Sequence, residues 1–194
     1  MVPCFYDGDA IRSERILMNN TKRLMLFICV ITIGLSGCSK DIDFTEEGPF
    51  IILTSYPGGE NYYVDFYPRN IAVHEDGTLH IYTEATEDII VEDDAPTVEI
   101  KLTNKEVQHI KETIQDNRFF RLPKDVSDPH VMDGPMQYIT VHADTESKEV
   151  GGEWPVNENF QAIRKEVLDH VQKEYDDWLD EIDDYIYEKN PSSS

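Results

Sequence analysis

Asp125, Asp128, His130, Asp133 and Gly134 fall within ten residues and form the densest set of ligand-type side chains in this chain of 194 residues. Carboxylate oxygens are the donors that a hard cation such as calcium takes. An EF-hand loop, however, sets its oxygen donors at alternate positions, with a central glycine and a terminal glutamate. Spacings of three and five residues do not reproduce that pattern. The segment reads as a turn-rich connection, with a looser calcium loop through Asp125, Asp128 and Asp133 as the alternative. His74 and His80, with Glu75 nearby, are the second candidate. Zinc needs three or four convergent ligands and this pair lacks a third, so solvated histidines are expected. The chain has no Gly-x-Ser-x-Gly nucleophile motif and no phosphate-binding glycine loop. Carboxylate pairs of the glycosidase kind have little diagnostic value in so acidic a sequence. The expectation is a protein that is not an enzyme, with no catalytic residue, no metal ligand and no cofactor assigned; a hydrolase is the weaker alternative.

The remaining reactive group is a thiol. Lys22 and Arg23 precede a twelve-residue apolar run, Leu24–Leu35, that leads into Ser36, Gly37 and Cys38. A charged start followed by a short apolar core is the make-up of a secretory signal. The run falls short of the ~20 residues that a spanning helix needs. Leu35-Ser36-Gly37-Cys38 resembles the lipobox of a bacterial lipoprotein signal peptide. The resemblance implies cleavage between Gly37 and Cys38, and a diacylglyceryl group on the Cys38 thiol. Palmitate-type chains contribute ~0.8 kcal/mol per buried methylene, and two or more of them anchor stably where one does not. Residues 1–37 would then be a signal peptide, with the domain lipid-anchored at the cell membrane on its extracytoplasmic side. Met18 makes a better start than Met1, because Asp7, Asp9 and Glu14 do not belong in a positive leading segment. Cys4 and Cys29 would leave with the leader and Cys38 would carry lipid, so no disulfide is expected.

The chain has 17 Lys+Arg against 39 Asp+Glu; from Cys38 onward the counts are 13 and 36, a net charge of −23. Such a surface repels nucleic acid. About 157 residues remain after the leader, enough for one domain with its own core. Residues 38–49 read as the lipidated cysteine and an acidic tether, 50–173 as the folded domain, and 174–194 as an acidic helical extension with a disordered tail.

Phe50–Thr54 reads as a strand, Pro57–Asn61 as a turn, and Tyr62–Tyr67 as an alternating strand broken by Pro68-Arg69-Asn70. Ile71–Thr83 is the clearest hairpin. A two-residue Asp76-Gly77 turn would put Ile71 and Val73 on the face opposite Leu79 and Ile81. A three-residue Glu75-Asp76-Gly77 loop with Gly77 left-handed puts all four on one face, and is therefore predicted. It makes His74 and His80 diagonal neighbours on the other face. Glu84–Pro96 reads as an acidic loop or short edge strand around Ile89-Ile90-Val91, and Thr97–Leu102 as a strand with one buried face. Thr103-Asn104-Lys105-Glu106 is a capping box opening a helix striped by Val107, Ile110 and Ile114. Phe119, Phe120 and Leu122 should then tuck into the core. Met136–Ala143 and Lys148–Val150 form a second hairpin around Asp144–Ser147, and Gly151-Gly152 is expected to lead the chain out of the sheet. Asn157 caps a last helix striped by Phe160, Ile163, Val167, Val171, Trp178, Ile182 and Ile186. From Glu174 to Glu188 it carries eight acids and no base. Helical throughout to Lys189, it would span ~45–50 Å, so its distal half should overhang and fray, or dock an envelope protein through Trp178, Ile182 and Tyr185.

Taken in order, Glu75-Asp76-Gly77-Thr78, Thr103–Glu106, Phe119-Phe120-Arg121-Leu122-Pro123, Asp133-Gly134, Ile139-Thr140-Val141 and Phe160–Val171 resemble the pattern of a family of small bacterial envelope proteins. The resemblance covers about half of the chain and brings no activity with it. The predicted fold is α+β: an antiparallel sheet of about five to seven strands with two helices packed on one face, the C-terminal one long. The predicted task is a non-enzymatic envelope binding or accessory module.

Overall fold

Period-two alternation in six segments builds one antiparallel sheet. The computed structural model describes residues 42–58 and 66–191. The leader, Gly37, Cys38, most of the turn at Pro57–Asn61 and the start of the Tyr62–Tyr67 segment lie outside the described residues. The strands are β1 (Pro49–Tyr56), β2 (Arg69–His74), β3 (Thr78–Tyr82), β4 (Val98–Lys101), β5 (Met136–His142) and β6 (Ser147–Glu153), in spatial order β4-β3-β2-β1-β5-β6. Three helices follow from the sequence as α1 (Asn104–Asp116), α2 (Glu158–Asp169) and α3 (Gln172–Lys189), with a 3-10 turn over Phe119–Arg121.

Register decides which side chains meet the helices. Ile71 pairs with Ile81 and Val73 with Leu79; Ile51 faces Val73 on one side and Val141 on the other, and Leu53 faces Ile71 and Ile139. These residues share one face, and each is at most 6% exposed. Gly77 has φ +86° and donates its N–H to the His74 carbonyl at 3.0 Å, so the hairpin takes the bulged three-residue loop expected of it. Asp76 ties the loop shut, accepting from the Thr78 N–H (2.8 Å), the Thr78 hydroxyl (2.9 Å) and Lys101 (3.1 Å). Those donors, the Thr78 N–H first, hold its carboxyl down to about 2. A carboxyl held low stabilises the fold above its ordinary value near 3.8, and that gain fades as pH falls toward 2. Asp76→Asn should therefore melt below wild type at pH 6, with the gap closing below pH 4 and gone only once the pH is below about 2. A gap independent of pH would remove the charge from the account.

Thr103 and Glu106 form the reciprocal capping box, and α1 buries Val107, Ile110 and Ile114. Phe119 and Leu122 are buried and Phe120 is half-buried. Asn157 caps α2, accepting from the N–H groups of Asn159 and Phe160. Each apolar side chain so buried contributes ~1.5–3 kcal/mol.

Several expectations are corrected. Arg69 and Asn70 do not break a strand but begin β2, where they pair with Ser55 and Thr54; Phe66–Pro68 lead into it outside any strand. Glu84–Pro96 takes the first of its two expected forms, a loop, and its Ile89 is buried. Val98 and Ile100 are half-buried, as befits an edge strand. Ser147 already pairs with His142, and Gly151 and Gly152 lie inside β6 opposite Tyr138 and Gln137, not at an exit from the sheet.

The long helix is two helices. At His170 and Val171 the hydrogen bonds tighten to the third residue back, and Val171 has φ −140°. The break keeps the apolar stripe on the sheet where a straight rod would overrun it. Nor is the segment after Glu174 an appendage. Tyr175, Trp178, Ile182 and Ile186 are buried in the same core as the strands. The Trp178 indole donates to the Pro96 carbonyl at 2.8 Å, and Tyr185 donates to Asp94 at 3.0 Å. Asn190 caps the end of α3 against Ile90. Asp183 accepts from the Tyr67 hydroxyl and from Arg69 at 2.9 Å; burial, then that bond, push the Tyr67 hydroxyl above its usual range. The Arg69 Nε is buried without an acceptor, an orphan donor worth ~1–3 kcal/mol against folding.

Candidate functional site

The residues singled out for metal chemistry are spent on local structure. Asp125 accepts from the Ser127 N–H (2.9 Å) and hydroxyl (2.6 Å), and these bonds, the hydroxyl's first, lower its carboxyl. Asp128 accepts from the His130 N–H at 2.9 Å. Asp133 sits at φ +62° in the turn before Gly134. Backbone bonds explain the segment. Gly151 N–H donates to the Lys124 carbonyl, Val126 N–H to the Gly151 carbonyl, and Asp128 N–H to the Glu153 carbonyl, all at 2.9–3.1 Å. Residues 124–128 thus lie along the outer edge of the second half of β6 and satisfy it at Gly151 and Glu153. His74 and His80 are neighbours as expected, with ring centroids 5.4 Å apart in an edge-to-face arrangement. Glu75 pairs instead with Lys111, whose ammonium also lies over the rings of Phe44 and Phe50 at 5.4 and 5.3 Å. Among the described residues no three His, Cys, Asp or Glu converge as a metal would need.

The sheet has a second face, which carries Ile52, Thr54, Tyr56, His74, His80, Tyr82, Tyr138, Thr140 and Glu149. Near the β1–β5 end it holds a cleft of about 600 Å3 lined by Thr54, Tyr56, Phe66, Met136, Tyr138 and Glu149, with Thr86, Glu87 and Asp88 from the β3–β4 loop. That volume is in the range of small-molecule sites. Tyr56 stacks on Phe66 (centroids 4.8 Å, 21°) and meets Tyr138 edge-on (6.3 Å, 84°). Burial raises both phenols, helped for Tyr56 by the Tyr138 phenol once ionised and by Glu149 and Glu84, and for Tyr138 by Glu149 and Asp125.

Gly151 makes this floor possible. A Cβ there would come within 2.2 Å of the Gln137 carbonyl oxygen and 2.5 Å of Tyr138 Cδ1, so the ring lies where a side chain would stand. Sequence reasoning passed over Tyr56, Phe66, Met136 and Tyr138. The available signal was parity: Tyr56 and Tyr138 are large aromatics at outward positions of alternating strands. No family model matches this chain, and no curated protein matches it.

Proposed function

We propose that the protein is a lipid-anchored, non-enzymatic binding module of the cell envelope, tethered through Cys38 on the extracytoplasmic side and engaging its ligand on the open face of the sheet. The observation that carries the binding half is the asymmetry of that sheet. Helices close one face, while the other keeps an aromatic-floored cleft, and half-buried aromatic rings gathered in one concavity fit a site that a ligand covers. Docking through Trp178 and Ile182 is set aside, because the domain's own core uses both. The anchoring half rests on Lys22–Cys38 and their resemblance to a lipobox.

Two measurements test the halves separately. Cells given alkyne-tagged palmitate should label the wild-type chain, whereas Cys38→Ser takes up no label and migrates more slowly because the leader stays on. Equal labelling of the two would remove the anchor. For binding, the dialysable fraction of an envelope extract should raise the melting temperature of the full chain but not that of Tyr138→Leu. Equal shifts, or none in the wild type, would overturn the assignment of the open face.

A further inference from the structure

We infer that the cleft on the open face takes an organic ammonium ion, seated on the aromatic corner of Tyr56, Phe66 and Tyr138 and neutralised by the carboxylates of Glu87, Asp88 and Glu149. The inference rests on the reading of that face as a binding site and names the ligand class. Its first support is charge complementarity: three carboxylates line the cleft, and none of the described lining residues is a base. Other acids of the domain are paired with bases, Glu75 with Lys111, Glu92 with Lys189 and Asp183 with Arg69. Among the described residues, Glu87, Asp88 and Glu149 have no such ion pair. These acids come from two separate elements, the β3–β4 loop and β6, and line one concavity.

The floor supplies the second, independent support. Tyr138 stands nearly perpendicular to the stacked Tyr56–Phe66 pair, so rings in two orientations line the cleft. The negative faces of such rings attract a cation whose charge is spread over alkyl groups. A bare metal ion wants converging oxygens instead, and the described residues offer no such convergence. Met136 and the methyl of Thr54 add apolar contact that suits an alkylated nitrogen. An anion would meet carboxylates on both sides. A folded protein partner would need ~800 Å2 of its surface buried, and the aromatic lining is confined to a cleft of small-molecule size.

The test uses the full chain in a maltoside detergent, free of choline headgroups, titrated calorimetrically with choline chloride. Its neutral isostere 3,3-dimethylbutan-1-ol is titrated alongside, with potassium chloride as the ionic-strength control. Choline should bind saturably, and the isostere at least about tenfold more weakly because it lacks the charge the rings and carboxylates recognise. Asp88→Asn combined with Glu149→Gln should weaken choline about tenfold, Tyr138→Phe should keep it, and Tyr138→Leu should lose it, each variant melting cooperatively. Equal affinity for choline and the isostere would overturn the charge recognition. No binding of choline by an intact chain would overturn the inference, as would binding of a penta-lysine peptide in its place. If choline fails while the extract still raises the melting temperature through Tyr138, the ammonium assignment falls and the binding module stands.

Discussion

A chain that stops at Lys173 is expected to lose cooperative folding. The residues removed include Tyr175, Trp178, Ile182 and Ile186, all buried. At ~1.5–3 kcal/mol for each buried side chain, their loss matches the whole ~5–15 kcal/mol by which a domain is stable. Trp178→Ala is the milder form. It leaves a cavity where a side chain 1% exposed had been and orphans the Pro96 carbonyl. A cost of ~3–5 kcal/mol follows for such a truncation. Urea unfolding followed by far-ultraviolet circular dichroism reads both. An unchanged midpoint for the Lys173 chain would show that α3 only rests on the domain. The same result bears on any search for partners, since a shortened chain that captures nothing would be reporting its own unfolding.

Gly151→Val should be the most damaging single substitution on the open face, at ~3 kcal/mol, the upper end of what overpacking costs. Cβ contacts of 2.2 Å to the Gln137 oxygen and 2.7 Å to Tyr138 Cα are contacts with backbone, and backbone inside a ladder cannot give way as a side-chain tip can. Two losses should come together: a lower urea midpoint, and a weakened near-ultraviolet tyrosine signal as Tyr138 leaves its place over the glycine. A variant that keeps both would remove the steric argument.

These two cases mark what local pattern reveals. The loop at Glu75–Gly77 was legible because only one register puts Ile71, Val73, Leu79 and Ile81 on the same face, and a buried face tolerates no slip. Thr103 with Glu106, and Asn157, were legible because caps are satisfied within three residues. Gly151 misled because a glycine's freedom is a local property, while its reason here is Tyr138 across the ladder and Lys124–Val126 along the edge. The stripe of α3 was visible, but amphipathicity does not say what the stripe faces. Its polar anchors, Pro96 for Trp178 and Ser55 for Tyr175, lie 82 and 120 residues away in the chain. The break at His170–Val171 carries neither proline nor glycine, so no residue announced it. In the cleft, the outward parity of Tyr56 and Tyr138 could be read. Their meeting with Phe66 and the Thr86–Asp88 loop could not, because it depends on how two separate connections fold over one sheet end.

The strand-like run of residues 124–128 along β6 has a consequence for how copies of the chain behave toward one another. An unfinished sheet margin is a template on which a second chain can polymerise. Here the Gly151–Glu153 part of one margin is already occupied by the protein's own backbone. The other, β4, offers four residues, with Glu99 and Lys101 pointing into solvent. Self-propagating growth therefore has no long apolar row to start from, even where many copies are held close together.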